Sequence, residues 1–578
     1  MEKDIREVLR SLVTGALGAL GLDVVEEIVF EHPADLKFGD YSTNIALVLG
    51  QKNNRNPKEL SAELVAQILK KDHEYIEKVE VAGPGFINFY LSPKFFTQSI
   101  ERVLFEKDCY GSKASNGKKV IVEYTDPNPF KLFHIGHLMS NTIGESISRL
   151  YAFTGSETKR ACYQGDVGMH VAKAMWGILE LKNELPKETA DVSEKTAFLG
   201  KAYAYGATQG KDNETVTAEI KDLNKKIYDR SDEEINKLYD QGRAWSLEYF
   251  DSIYKRLGTE FDFKFFESET GKIGREVVED GLREGVFEKS DGAVIFKGER
   301  YDLHTRVFLN SEGLPTYEAK ELGLAKVKNE AYPYDLSVVV TANEINEYFK
   351  VLLKAMSLIF PELSAKTKHI GHGFLRLPSG KMSSRTGDVI TAEEVIEKAK
   401  ELILEKMKET DRQIEKVDET ADQIAVGAIK YSILKQDIGK DIIFDFDKSL
   451  SFSGDSGPYL QYAYARTQSI LEKAKKEGIN APASAAEGYG VAKDEITVVE
   501  KLLYRFPEVV ERSAGEYAPH YIATYIYDLA TAFSSYYVDH QVVSQEANSP
   551  YRVALTTAVG QTLKNGLTLL GIKAPSKM

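Results

Sequence analysis

The segment from Lys119 to Tyr163 limits the chain to few folds. Lys119 to Tyr124 reads KVIVEY, which predicts a short buried strand. Asp126–Pro127–Asn128–Pro129 follows, and its prolines break any regular element there. From His134 to Phe153 apolar positions recur with helical spacing, and Gly155 ends the run. Lys159 to Tyr163 (KRACY) predicts the next strand. Strand, loop, helix and strand in that order open a doubly wound, Rossmann-type α/β unit. Ser337 to Val340 (SVVV) and Ile370 to Leu377 are the expected strands of its second half. Between the halves, about residues 185–290 are highly charged and mostly helical in pattern, which predicts an insertion.

The flanks read differently. Ile5, Val8, Leu9, Leu12, Val13, Ala16, Leu17 and Leu20 mark an amphipathic first helix. A turn at Lys37–Phe38–Gly39–Asp40 follows, and Val79 to Leu91 (VEVAGPGFINFYL) predicts two strands hinged on Gly83–Pro84–Gly85. Residues 1–112 are therefore expected to form a small α+β domain and 113–390 the α/β domain with its insertion. A helical connector over 391–454 and an all-α domain over 455–578 complete the expected organisation. The helices of the last domain are expected at Leu460 to Lys476, His520 to Tyr537 and Tyr551 to Leu570.

Across 578 residues, 74 Lys+Arg face 88 Asp+Glu, a net charge of −14. Such a chain does not adhere broadly to nucleic acid or anionic membranes, although a local site remains open to it. The charge is uneven: Asp455 to Met578 is close to neutral and holds more than a third of the 31 tyrosines. Two cysteines, Cys109 and Cys162, rule out a disulfide framework and a cysteine-rich zinc site, so no zinc is expected. The N-terminus, MEKDIREVLRSLV, lacks the apolar core of a signal peptide, and no stretch reads as a membrane-spanning helix. A cytoplasmic chain with no membrane partner is the expectation.

Two short motifs carry chemistry. His134–Ile135–Gly136–His137 falls where the first α/β helix begins. A helix N-terminus offers unpaired N–H groups and partial positive charge, a site for phosphate. Two histidines at i and i+3 share one face, and both imidazoles can donate to phosphate oxygens. Gly136 between them lets a flat adenine approach the backbone. A capping or core histidine pair is the plainer reading of this tetrapeptide. The second motif is Lys381–Met382–Ser383–Ser384–Arg385 in a glycine-flanked loop. Its lysine can swing in to neutralise charge building on a transferred phosphate, with Ser383 and Ser384 holding the loop or donating. A solvated basic loop is the alternative there.

Together, in this order and on these elements, the two motifs resemble the HIGH and KMSK signatures of class I aminoacyl-tRNA synthetases. EYTDPNPFKLFHIGHLMSNTIGESISRLYAFTG, YQGDVGMHVAK, GLPTYEAKELGLA and HGFLRLPSGKMSSRTGDVI resemble the arginyl-tRNA synthetases over essentially the whole chain. FGDYSTNIAL and GPGFINFYL resemble that family's added N-terminal tRNA-binding domain, and SGPYLQYAYARTQSI the start of its anticodon-binding bundle. The resemblance implies that Glu123 holds the substrate α-amino group and Asn128 lies beside its backbone. It implies that Tyr317 and Glu321, one helical turn apart, read the guanidinium, a planar fork of donors that suits a carboxylate. Lys131 would be a second cation for the phosphates. Where the family commonly has Asp and Gln, this chain has Glu321 and Ile345, so Asn343 or Glu344 is expected to supply a missing polar contact.

The implied reaction is attack of the arginine carboxylate on the ATP α-phosphorus with release of pyrophosphate, then transfer of the arginyl group from the adenylate to the terminal ribose of tRNA(Arg) with release of AMP. His134, His137 and Lys381 would stabilise the transition state, with Gly136, Met382, Ser383 and Ser384 completing the ATP site. Magnesium would ride in with ATP. The resemblance also implies that activation needs bound tRNA, and a monomer is expected. Phe86 and Asn88, on one strand face by alternation, would contact the tRNA D-loop. Tyr459, Tyr462, Tyr464, Arg466, Tyr536 and Tyr537 are the candidates for the anticodon loop, since aromatic planes with interspersed cations suit unstacked bases. Three rivals stand beside this reading: a class I synthetase for another amino acid, a nucleotidylyltransferase with a similar histidine motif, and a non-catalytic RNA-binding paralogue.

Overall fold

A computed structural model describes residues 4–23, 27–376, 390–408, 415–481 and 496–578. The chain divides into two compact units. One comprises Met1–Tyr110, Arg466–Pro507 and Asp528–Asn565, the other Gly111–Ala465, Glu508–Tyr527 and Gly566–Met578.

The second unit is built on a parallel sheet. Its opening is strand β1 (Lys119–Glu123), helix α1 (Ile135–Phe153), strand β2 (Glu157–Gln164) and helix α2 (Met169–Glu180). Strand β3 (Phe263–Phe266), helix α3 (Glu267–Arg283), helix α4 (Tyr317–Ala331), strand β4 (Leu336–Ala342), helix α5 (Asn346–Ile359) and strand β5 (Thr367–His372) complete it. The strand order is β5-β4-β1-β2-β3, with every neighbouring pair parallel. β1 therefore lies at the centre, Glu123 registering with Val339 on one side and Ala161 on the other. A central strand covered on both faces should be a continuous apolar run, and Val120, Ile121 and Val122 are fully buried.

Helix α1 lies so deep that its packing depends on small residues. A Cβ on Gly144 would fall 2.2 Å from Cγ of the Tyr124 ring. Tyr124 in turn donates from its hydroxyl to Glu145, which also receives Arg149 and Arg160. Ser140 donates to the Val340 carbonyl at 2.9 Å and accepts from the Thr125 N–H at 3.0 Å, tying α1 to β4 and to the loop after β1.

The expected insertion is helical at Val192–Asp212, Glu214–Asp229 and Glu233–Leu257, packed with α2 around Trp176 and Trp245. It is shorter than expected. Phe263–Phe266 falls inside the segment read as helical, yet pairs in parallel with β2 as an edge strand. Four residues are too few to print a two-residue period against charged helical flanks. A three-stranded antiparallel sheet, Glu288–Ser290, Ala293–Phe296 and Arg306–Leu309, went unpredicted; it encloses Phe287, Phe296 and Phe308. The expected helical stretch 391–454 has helices Ala392–Lys408 and Val417–Leu434, but Ile442–Ile443 pairs in parallel with Leu375–Arg376.

In the first unit, Phe86–Leu91 lies between Tyr41–Thr43 and Ile76–Ala82 in an antiparallel sheet, packed on the buried faces of helices Ile5–Ala19 and Pro57–Ile68. The predicted hinge is a turn in which Gly83 and Gly85 adopt positive φ of 55° and 140°. The C-terminal helices, Gly457–Lys476, Val498–Leu503, Phe506–Gly515, His520–Asp539 and Ser549–Leu569, are divided between the two units.

Gly144→Ala must displace the Tyr124 ring, so we expect a loss of about 1–3 kcal/mol in urea denaturation. Gly15→Ala meets no atom within 4 Å in an exposed helical position and should gain about 0.5–1 kcal/mol.

Candidate active site

In an open parallel sheet, the loops at the carboxyl ends of strands diverge where the winding reverses. Here that point lies between β1 and β4. The loop after β1 is strained: Thr125, Asp126 and Phe130 have φ of 82°, 46° and 68°, costly for side chains with a Cβ. Hydrogen bonds hold the strain in place. The Asn141 amide donates to the Thr125 hydroxyl, the Phe130 N–H to Ser246, and the Tyr163 N–H to the Asp126 carboxylate.

The loop delivers His134 to the N-cap of α1. His134 Nδ1 accepts from the Gly136 and His137 N–H groups at 3.1 and 3.4 Å, and His137 Nδ1 accepts from the His134 N–H at 3.2 Å. The two rings stack with centroids 3.6 Å apart. Since each Nδ1 is an acceptor, each proton sits on Nε2, which is left to donate. Capping and phosphate donation are thus compatible. Burial, then the nearby Lys131 charge, pushes His134 down to about 4. Burial, then His134 and Lys131, hold His137 well below the ordinary range, so both imidazoles are neutral donors at neutral pH. Lys131 itself is lowered by burial and by Lys173. A Cβ on Gly136 would lie 3.0 Å from the His134 ring, so a side chain there would press on the stacked pair.

Lys381, Met382, Ser383 and Ser384 lie outside the described residues. The chain resumes at Ile390, whose carbonyl accepts from the Ile135 N–H at 3.2 Å. Thr391 bridges His134, and the Ala392 N–H donates to the Phe133 carbonyl. Residues 390–392 therefore lie against the start of α1.

A cluster of buried carboxylates gathers around the end of β1. Glu123, at the end of β1, is buried and paired with Lys328 of α4 at 2.6 Å. Glu267, at the start of α3, is buried and paired with Lys320 at 2.6 Å. A Cβ on Gly165 would fall 2.3 Å from Asn128 Oδ1 and 3.2 Å from Glu267 Oε1, so these groups meet over a bare backbone. Burial, then the Glu123 charge, pushes both Asp126 and Glu321 well above the ordinary carboxylate range, and Glu321 also feels Asp126 and Glu267. Tyr317 is 58% exposed, with the Lys320 ammonium over its ring. Ile345 packs into an apolar cluster, while Glu344 is exposed. The carboxylates that instead crowd Glu321 are Glu267 and Asp126, which the sequence did not single out. Glu267 opens a helix 144 residues beyond Glu123, with no local motif to mark it.

The expected RNA contacts fare unevenly. Phe86 is exposed, but Asn88 is buried and accepts from the Ser42 hydroxyl at 2.7 Å. Their shared face is half covered, because Asn88 registers with Ser42 and Glu80 on the neighbouring strands. Tyr459, Tyr462, Tyr464 and Arg466 are half-buried, and Tyr537 is exposed. Tyr536 is buried and stacked on His540, so it belongs to the core.

This sheet order, with a histidine-capped helix at its point of reversal, fits the catalytic domain of a class I aminoacyl-tRNA synthetase, and the family matches assign the chain to that class. Residues 99–446 match the family described as tRNA synthetases class I (R), catalytic domain. Residues 1–91 match the arginyl tRNA synthetase N terminal domain and 460–578 the DALR anticodon binding domain. The arginine–tRNA ligase of Clostridium kluyveri is 31% identical over 566 residues, covering 97% of each chain, and that of Bacteroides thetaiotaomicron is 28% identical over 600, covering 99% of each. The fold is that of the Thermus thermophilus arginyl-tRNA synthetase, with a TM-score of 0.79 at 24% identity and all of both chains covered. The Plasmodium falciparum arginyl-tRNA synthetase gives a TM-score of 0.77 at 22% identity, with 99% of each chain covered. The chain belongs to the arginyl-tRNA synthetase family.

His134 titrates near 4 when folded and near 6.5 when unfolded. Between these values the unfolded chain binds a proton that the folded chain refuses, so stability falls as pH falls through that window. From pH 7 to 5 this one group should cost about 2 kcal/mol. His134→Asn keeps a capping side chain without titrating, and in urea denaturation should lose about 2 kcal/mol less over that range.

Proposed function

We infer that the chain is an arginine–tRNA ligase. It activates L-arginine with ATP to arginyl-adenylate and pyrophosphate, then passes the arginyl group to the 3′-terminal ribose of tRNA(Arg) and releases AMP. The observation that carries the choice of amino acid is the charge of the pocket. Glu123, Asp126, Glu267 and Glu321 lie within one another's field against two buried lysines, Lys320 and Lys328. L-arginine brings the two missing cations, one at each end. In the empty pocket, crowding favours protons on Asp126 and Glu321; a guanidinium and an ammonium favour their ionised forms.

Residue roles follow from this reading. Glu123 takes the α-ammonium and Asn128 lies beside the substrate backbone. Tyr317 and Glu321 take the guanidinium, with Glu267 as a further acceptor in place of the polar residue that Ile345 lacks. A pocket built to pair a guanidinium rejects citrulline, which would leave buried charges unpaired. The arginine carboxylate attacks the α-phosphorus in line, so the chain needs no nucleophile of its own. Nε2–H of His134 and His137, with Lys131 and Lys381, stabilises the charge on the phosphates; Gly136, Met382, Ser383 and Ser384 complete the ATP site. The donors on the described side of that site, imidazole N–H groups and a lysine, suit phosphate oxygens and do not fit a dedicated magnesium site. Among the described residues no group of three or more His, Cys, Asp or Glu could hold a metal ion. Magnesium would arrive on ATP.

The near-neutral, tyrosine-rich C-terminal region and the exposed Phe86 support a grip on tRNA by limited patches, with Tyr459, Tyr462, Tyr464, Arg466 and Tyr537 as contacts. Asn88 would act by holding Ser42 in place. No helix among the described residues is long and apolar enough to cross a membrane. A cytoplasmic monomer that activates arginine only with tRNA bound completes the proposal.

Pyrophosphate exchange with each amino acid, with and without total tRNA, tests it: exchange with arginine alone, appearing on tRNA addition, is expected. Exchange with another amino acid, or none, overturns it. Lys381→Ala should slow adenylate formation by about two orders of magnitude or more while tRNA affinity, read by filter binding, stays within about threefold. A small rate effect would shift the role to Lys131.

A further inference from the structure

At the carboxyl end of β1 lies a buried ion pair whose cation has no part in the roles above. Lys328 Nζ donates to Glu123 Oε2 at 2.6 Å and to the Ser337 hydroxyl at 3.2 Å. The two side chains are only 4% and 1% exposed. Such a pair is a poor device for stability, since the cost of removing both charges from water offsets most of their attraction. What it does well is fix direction. Lys328 lies on the face of α4 that also carries Tyr317 and Glu321, four and eleven residues along from Tyr317 being near-whole numbers of turns. One rigid helix therefore reaches both ends of the amino-acid pocket. Among the described residues no group donates to the second oxygen of Glu123, Oε1.

Resting on the arginine reading above, we propose that Lys328 is a positioning residue for amino-acid binding: by fixing Oε2 of Glu123 it leaves Oε1 turned to receive the substrate α-ammonium. The charged and titratable groups around Glu123 are Lys328 and Glu321 of α4, Asp126 of the following loop, and the Tyr334 phenol beside Lys328. Apart from Lys328, each of these is acidic. Without the lysine, Glu123 faces Asp126 and Glu321 unopposed, and nothing fixes its carboxylate in the orientation that the substrate ammonium needs.

The test is tRNA charging by the full chain, with KM measured for arginine and for ATP at pH 7. In Lys328→Met we expect the arginine KM at pH 7 to rise about 30-fold or more while the ATP KM stays within about threefold. Lys328→Arg, which keeps a cation, should recover most of the loss. In a cycle with Glu123→Gln, the double variant should be no worse than Glu123→Gln alone, because Lys328 acts through Glu123. An unchanged arginine KM in Lys328→Met, equal losses for arginine and ATP, or additive losses in the cycle would overturn the proposal. Should Lys328→Met fail to fold, Ser337→Ala decides, since it removes only the 3.2 Å contact: a rise of about two- to fivefold in the arginine KM alone supports the role, and no change overturns it. A wild type that charges a different amino acid would refute the arginine reading itself, whereas arginine charging that ignores Lys328 refutes only the positioning role.

Discussion

The site depends on a topological constraint. A parallel sheet wound outward in both directions from β1 leaves a crevice at the carboxyl ends of β1 and β4, and nowhere else do two crossover connections diverge in this way. The pieces of the site gather around it. β1 ends on Glu123, the next seven residues hold three positive-φ side chains, and α1 begins on His134. Ser140 clamps the loop to β4 from below. The strain in the loop persists because the hydrogen bonds around it leave the backbone no cheaper path between strand and helix.

The second theme is charge without water. The pocket buries carboxylates that would rather be protonated than ionised there, and it supplies too few lysines to neutralise them. In a low-dielectric crevice this imbalance costs stability in the empty protein, and a ligand bearing two cationic groups would relieve it. The net charge of −14 is thus a poor guide to the partners of this chain, because what matters is where charge is buried and where it is nearly balanced. The C-terminal region is nearly balanced, and there tyrosine takes over as the feature that suits RNA.

How much of this could be read from sequence followed the range of each interaction. β1, the proline loop, α1 and the histidine pair form one contiguous stretch, and their periods and turn residues are local signals. β3 escaped because four residues beside long charged helices carry too little pattern, although its Phe-rich composition was a weak hint. Asn88 and Tyr536 were misplaced because burial is set by neighbouring strands and helices, which alternation within one element does not reveal. Lys328 was invisible for the same reason: its partner is 205 residues away. The register that joins them exists only in the folded sheet.

The neutral histidines complete the argument. An enzyme gains rate only from contacts that strengthen between bound substrate and transition state. Two fixed cations at His134 and His137 would grip ATP as tightly before reaction as during it, and would grip the released pyrophosphate as well. Burial keeps both imidazoles uncharged, and their Nδ1 atoms, engaged by the α1 backbone, set the direction of the remaining N–H. A neutral, fixed dipole would interact modestly with the charge already on a bound phosphate and more strongly with charge that develops during transfer. On this reading the same histidine serves two purposes at once: it caps the helix, and the cap aims the donor.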